Sequence, residues 1–486
     1  MTLAGAAPRT PHATSPALVV SVLGFCGITV ALLQTLIVPL VPVLPRILHA
    51  SASNSSWAIT STLLVGAVIT PIAGRLGDMY GKRRILLLSM VAMIAGSLLC
   101  AVTSALWPVV IGRALQGASA GVIPLGISIM RDELPREKIG SSVAIMSATM
   151  GVGGAIGMPV AAVIAEKTDW HMLFWVSAVL GAVALAAVLI LIPESPIKTG
   201  DRFDYLGAVG LSAALVALLL AITKGNDWGW SSGLTLGLFA GAVVVGLLWA
   251  MYELRCPGAL VDLRISAGKQ VLFTNFASVA VGFAMYGMSL IPSQVLMAPK
   301  ATGYGMGLSM VQAGLILTPG GLAMFALSPF SAKISARKGP RTSLMVGAFI
   351  IMVGYALTLV LRSSPWEVMV AMMVVGGGIG IAYAAMPALI MGAVPLHETG
   401  AANGLNSLMR ALGTSLSSAA VSVVLAASTL KLGSVALPTD SAFTLAIWLT
   451  IAACVVAIGL ALLIPRQMPE RLLEVVEGEP AMPVVE

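Results

Sequence analysis

The chain has 486 residues, 58% of them hydrophobic and only 10% charged, and its mean hydropathy is +0.98. Soluble domains carry about 25% charged residues, so a water-soluble globular protein is excluded and the length is better counted in membrane crossings. The formal charge of +7 is spread singly through short loops, with no aromatic-interleaved basic patch, which sets nucleic acid aside as a partner.

The first apolar run, at about 17–40, follows Arg9. A cleavable signal has an apolar core of roughly 7–15 residues. The run is far longer, so it is read as a retained first helix although Ala50-Ser-Ala52 resembles a signal-peptidase site. Thirteen further runs lie at about 57–76, 85–105, 107–130, 140–164, 171–192, 205–223, 233–251, 270–291, 307–331, 343–361, 368–393, 401–427 and 442–464. Each is long enough to cross roughly 30 Å of hydrocarbon as a helix. Lipid leaves no unpaired backbone, and the runs are too long for barrel strands, so helices are expected. With both termini inside, nineteen of the 27 Lys and Arg fall in inner segments, six in outer ones, and Arg113 and Arg410 within spans. That bias predicts cytoplasmic termini and a multi-pass protein of the cell inner (plasma) membrane, and an odd number of spans would destroy it.

Residues 74–84, Gly-Arg-Leu-Gly-Asp-Met-Tyr-Gly-Lys-Arg-Arg, form a charged turn between spans 2 and 3. A weaker copy follows: Pro71, Arg75, Gly81 and Arg83 are matched by Pro329, Lys333, Gly339 and Arg341 at an offset of 258. Trp107, Gly117 and Gly121 recur as Trp366, Gly376 and Gly380 at an offset of 259. Spans 1–6 therefore repeat as spans 9–14, with spans 7 and 8 inserted, a plan frequent among secondary transporters. The expected organisation is a cytoplasmic N-terminus (1–16), a six-helix bundle (17–192), connectors with two inserted helices (193–269), a second six-helix bundle (270–465) and a cytoplasmic tail (466–486).

The turn at Gly74–Arg84, the run Arg113-Ala-Leu-Gln116-Gly117 in span 4 and Gly151-Val-Gly153-Gly154-Ala-Ile-Gly157-Met-Pro159 in span 5 resemble three signatures of the major facilitator superfamily. Specifically, they resemble those of its fourteen-helix drug:proton antiporter branch, and the resemblance covers about residues 15–465. It implies an all-α integral membrane fold of fourteen helices, in two six-helix bundles plus two linker helices. It further implies a gating motif of Gly74, Arg75, Asp78, Gly81, Lys82 and Arg83. Within it, an aspartate at position 78 caps a helix of the other half, here span 13 near Gly400–Asn403, and holds the cytoplasmic side shut. Two departures stand out. Met158 separates Gly157 from Pro159, and the first span around Leu33–Pro39 lacks the aspartate usual in this branch.

Other residues admit a plain and a functional reading. The basic residues of the turn can anchor it at anionic headgroups; for Lys82 and Arg84 that reading is weighed against a role in the motif. Charges within spans are costly and by default functional. Arg113 with Gln116, and Arg410 on the polar stripe Asn403, Asn406, Arg410, Thr414 and Ser417, are therefore candidates for transport or coupling on a cavity wall. The alternative is that each binds carbonyls and locks helix packing. Gln34, Asn275, Tyr286, Tyr383 and Asn406 are candidate substrate-cavity residues. The 26 methionines, many in spans 9–12, suit an adaptable pocket or ordinary packing. Gly153, Gly157 and Pro159 are expected to pack helices closely and, by the resemblance, to form a hinge between the halves. Cys26, Cys100, Cys256 and Cys454 have no metal or disulfide spacing, and neither do the four histidines, so no metal or cofactor is expected.

No acid lies within the hydrocarbon part of a span. Proton coupling would then use Asp132 or Glu133, or Glu166 or Asp169; alternatively the pocket is net positive and favours neutral or anionic amphiphiles. The expected function is secondary transport, exporting amphipathic small molecules by alternating access, driven by the proton gradient, in a protein that works as a monomer. The alternatives are a dedicated exporter of an endogenous metabolite or lipid, and a polytopic enzyme or channel, for which no acyltransferase His/Asp cluster or His-Glu-x-x-His helix is found.

Overall fold

The structure is a computed structural model that describes residues 15–37, 40, 43–195, 202–256, 258–432 and 435–466. Of the residues named above, Arg9 and Pro39 lie outside the described residues, as do most of both expected termini and part of the connector 193–204.

Fourteen helices are long and apolar enough to cross a membrane, as expected: α1 (Pro16–Leu36), α2 (Ser53–Tyr80), α3 (Lys82–Ala101), α4 (Leu106–Glu133), α5 (Glu137–Ile164), α6 (Met172–Leu191), α7 (Tyr205–Trp228), α8 (Gly233–Glu253), α9 (Lys269–Met297), α10 (Met310–Lys338), α11 (Pro340–Val360), α12 (Pro365–Met391), α13 (Leu396–Ala427) and α14 (Asp440–Leu463). Side chains in the flanking loops start several of them. Asp204 caps α7 through Gly207 N, Ser232 caps α8 through Thr235 N, and Ser309 with Gln312 closes a capping box on α10. Each satisfies backbone donors that a helix start leaves open.

Helices α1–α6 pack round one set of apolar clusters, including Leu23, Met90, Leu125 and Met146, and α9–α14 round another, including Ile351, Tyr355, Met372 and Ile379. The halves meet along two seams, α5 against α10 and α2 against α13. The inserted helices pair with each other, and α7 also rests on α2 and α13. The helices run further than the hydropathy boundaries. Lys224, expected in an outer loop, therefore lies inside α7 with 1% of its side chain exposed. Its ammonium donates to the Ser53 carbonyl and to Ser56, and sits 5.2 Å from the Trp57 ring centroid, fastening α7 to the start of α2. One further addition to the helical plan is a small antiparallel hairpin, β1 (Thr429–Leu432) and β2 (Val435–Pro438), between α13 and α14.

Candidate functional site: the charged turn and the seam it closes

The α2–α3 turn is possible because Gly81 adopts φ +115°, a conformation strained for any side chain. A Cβ there would also stand 2.6 Å from the Glu194 carboxylate. The sharp reversal sets Asp78, in the last turn of α2, beside Lys82, the first residue of α3. Lys82 Nζ lies 2.6 Å from Asp132 Oδ2 and 3.7 Å from Asp78 Oδ1, and all three side chains are fully buried. Asp132, in the last turn of α4, also accepts from Ser195 Oγ at 2.6 Å. Lys82 is thus an internal cation between two carboxyl groups and does not anchor the turn at headgroups. Arg84, 70% exposed and 3.7 Å from Glu194, does face outward.

Asp78 reaches across to the other half. Its Oδ1 accepts from Gly400 N at 3.1 Å and its Oδ2 from Ala401 N at 2.9 Å. These are N–H groups in the first turn of the α-helical part of α13, which starts at Thr399. They carry the positive end of the helix dipole, and hydrogen bonds from neutral donors to a carboxylate are net favourable by about 1.5–3 kcal/mol each. Arg131 on α4 adds a second fastening: it donates to Thr399 Oγ1 at 2.6 Å and to the Val394 carbonyl at 3.2 Å. Arg75, 5% exposed, donates to the Gly258 carbonyl in the α8–α9 connector at 3.2 Å. Arg83 donates to the Leu189 carbonyl at 2.6 Å.

Glycine lets the two backbones approach this closely. A Cβ on Gly74 would stand 2.2 Å from the Gly400 carbonyl oxygen, and one on Gly404 2.8 Å from the Thr70 oxygen. The α2–α13 seam is therefore shut, backbone against backbone, at the end of the molecule that carries the charged turn.

Arg113 sits inside the first half, 3% exposed. Its Nε donates to the Ala58 carbonyl of α2 at 3.0 Å and an Nη to Gln116 Oε1 at 2.6 Å, while Gln116 Nε2 donates to Ser97 Oγ of α3 at 2.8 Å. In this conformation Arg113 and Gln116 join three helices, without lining an open cavity. Arg410 heads a matching network in the second half. It donates to Asn406 Oδ1 at 2.5 Å and Ser407 Oγ at 2.7 Å, and its guanidinium lies 5.2 Å from the Tyr383 ring centroid. Asn406 Nδ2 in turn donates to Asn275 Oδ1 and Ser278 Oγ. Four of the expected cavity and coupling residues, Asn275, Tyr383, Asn406 and Arg410, are thus brought together. Tyr286 is placed separately and accepts from Ser418 Oγ at 3.1 Å, and Gln34 is exposed on α1 and joins none of these bonds.

The span-5 glycines divide their roles in a way that the sequence did not reveal. Gly153 and Gly157 face α1 of their own half, where an added Cβ would stand 2.4 Å from the Ala31 Cβ and 2.0 Å from Thr35 Oγ1. Contact between the halves comes instead from Gly151, against Gly321 and Met324, and from Pro159, against Gly314 of α10. Met324, Met372 and Met386 are buried core residues. Among the acids named for coupling, Asp132 is engaged by Lys82, Glu133 is partly buried beside it, and Glu166 is exposed. Asp169, at the opposite end, accepts from His171 N at 2.8 Å and from the His171 ring. The backbone bond first, then the ring, holds its carboxyl below the usual carboxylate range.

Arg131, Glu194 and Thr399 complete the site and were not singled out from the sequence. The available signal was the Arg131-Asp132-Glu133 cluster closing span 4.

The chain matches the profile of the Major Facilitator Superfamily over residues 23–418 and 276–477. It is 27% identical over 392 residues to an uncharacterized MFS-type transporter of Mycobacterium tuberculosis (strain CDC 1551 / Oshkosh), covering 79% of this chain but only 56% of that relative. It is also 27% identical over 406 residues to the multidrug resistance protein Stp of the same strain, covering 82% of this chain and 74% of the relative. The crystal structure of the human organic anion transporter MFSD10 (TETRAN) superposes with a TM-score of 0.63 at 16% identity, over 94% of this chain and 100% of that one. With the fourteen membrane-length helices, the repeated halves and a charged turn that bridges them, the chain belongs to the Major Facilitator Superfamily.

Proposed function

We propose that this transporter exports amphipathic small molecules of the drug type from the cytoplasm by alternating access, in exchange for protons. In this reading the units 17–192 and 270–465 rock about the α5–α10 seam, within a single chain in the plasma membrane, with both termini and the charged turn on the cytoplasmic side. The carrying observation is the pair of hydrogen bonds from Gly400 N and Ala401 N to Asp78, which shut α2 against α13 at the end that carries the charged turn. A transporter that alternates must break such a closure and remake it in each cycle. The likeness to a protein named for multidrug resistance supports the drug-type substrate class.

Arg113 and Arg410 are the candidate polar groups at mid-membrane depth, so the reading favours neutral or anionic amphiphiles and makes multiply charged cationic dyes poor substrates. The test is efflux from cells expressing Asp78→Ala, with membrane abundance measured in parallel. Loss of efflux at normal abundance is expected, and unaltered efflux overturns the gating role. Strong export of ethidium-type dyes overturns the assigned charge preference.

A further inference from the structure

Away from the charged turn, where the inserted helices meet their connectors, two carboxyl groups are buried against each other. Asp204 (8% exposed) precedes α7 and Glu253 (3% exposed) ends α8. One oxygen of each is well supplied with donors. Asp204 Oδ1 accepts from Gly207 N at 2.8 Å and Tyr252 Oη at 3.0 Å, and Glu253 Oε1 accepts from Val261 N at 2.7 Å. The other two oxygens, Asp204 Oδ2 and Glu253 Oε2, are buried with no donor. They converge: a Cβ on Gly207 would stand 2.2 Å from the first and 2.6 Å from the second. Two buried acceptors facing each other satisfy one another only when a proton lies between them, because like charges so placed do not both ionise.

The pair is also reachable. Glu253 forms part of the wall of a cleft of about 250 Å³, whose other wall carries Arg75 of the gating motif and Ala401 of α13. Tyr252 bonds Asp204 and Cys256 bonds Tyr252, while Arg75, Asp262, Arg264 and Glu398 line the cleft with Glu253. The two guanidinium groups and the two further carboxylates balance, so the surroundings do not favour a second negative charge on the pair.

We propose that Asp204 and Glu253 form a proton-binding site that latches the α8–α9 connector to the gating motif. With one shared proton, Glu253 keeps Val261 in place and the connector presents the Gly258 carbonyl to Arg75. When that proton leaves to water in the cleft, two adjacent carboxylates remain; their repulsion moves Glu253 off Val261 and frees the connector. Low pH on this face therefore locks the connector, and high pH releases it. The consequence for transport rests on the alternating-access reading above: proton release to the cytoplasm would accompany opening to the cytoplasm.

The test uses the full-length protein in liposomes, with no transported substrate. Infrared difference spectra between acid and alkaline buffer should show a protonated carboxyl band lost in the wild type and missing in Glu253→Gln. Asp204→Asn, which preserves the helix cap, serves as the second variant. Bands identical in the wild type and both variants overturn the proton site. Cys256 reports the latch, because the other three cysteines are buried. Its labelling rate with a membrane-impermeant maleimide, taken as the ratio of wild type to Glu253→Gln to cancel thiol ionisation, should rise about fivefold or more from about pH 6 to about pH 9. A flat ratio overturns the latch. Normal titration in a protein that exports no drug would leave this site standing and remove the transport reading instead.

Discussion

The charged turn and its repeat differ in a way that separates shape from chemistry. Both glycines at the reversal take positive φ, +115° at Gly81 and +83° at Gly339. The residues around them do not correspond in charge: Asp78 is matched by Ala336, Lys82 by Pro340 and Gly74 by Ala332. The first copy buries Arg75, Asp78 and Lys82, whereas Lys333 and Ala336 of the second are exposed. Lys333 lies over the Phe330 ring, and Arg341 donates to the Leu462 carbonyl of its own half. The turn itself is therefore a backbone device kept in both halves. The bridge between halves is a set of side chains present in one of them.

Four experiments bear on that contrast. The largest effect is expected from moving the acid: Asp78→Ala combined with Ala336→Asp should remain without efflux, because residue 336 is exposed and Pro340 stands where the first copy has the buried cation Lys82. Recovered efflux would show the copies to be interchangeable. Next, Lys82→Ala leaves Asp78 and Asp132 buried without their cation, a change worth about 3–5 kcal/mol. Pro340→Lys, at a half-buried first helical position, should cost only about 0.4–1 kcal/mol for the lost constraint on the unfolded chain. Thermal unfolding in detergent compares the two. Third, Gly74→Ala forces the α2 and α13 backbones apart and should cost about 1–3 kcal/mol of the closed state, seen as faster cysteine labelling of the cleft. Ala332→Gly should cost only the helix propensity, about 0.5–1 kcal/mol. Last is the shared feature: Gly339→Ala should lose about 1–2 kcal/mol for a side chain at positive φ, and Gly81→Ala more than that, because its Cβ also meets the Glu194 carboxylate. A much larger loss at Gly339 would mean that the second turn has a task of its own.

The fourteen helices were legible because apolar length is a local property, read directly against the thickness of the hydrocarbon layer. The duplication was legible through Pro71, Gly81 and Trp107 for the same reason. Partnerships were harder. Lys82, Arg131 and Lys224 look alike to a hydropathy scale as basic residues at span ends. Yet Lys82 lies between two carboxyl groups, Arg131 holds Thr399, and Lys224 clasps the start of α2. Gly153 and Gly157 were recognisable as sites of close packing, but which helix they touch depends on the rotation of α5, and a glycine carries no sign of that. The carboxyl pair of Asp204 and Glu253 is separated by two whole helices in the sequence and meets only because α7 and α8 run antiparallel.

Helix α8 has 21 residues, of which only Thr235, Ala242 and Glu253 are buried, and packs chiefly on α7. At about 1.5 Å per residue it spans roughly 31 Å, close to the hydrocarbon thickness of a bilayer. Lipid covers most of its circumference, so its tilt follows the local thickness of the membrane. Its last residue, Glu253, holds the connector that Arg75 grips. A thinner or thicker bilayer therefore pulls on the closure between α2 and α13 through this one helix, and the lipid composition of the host membrane becomes an input to transport.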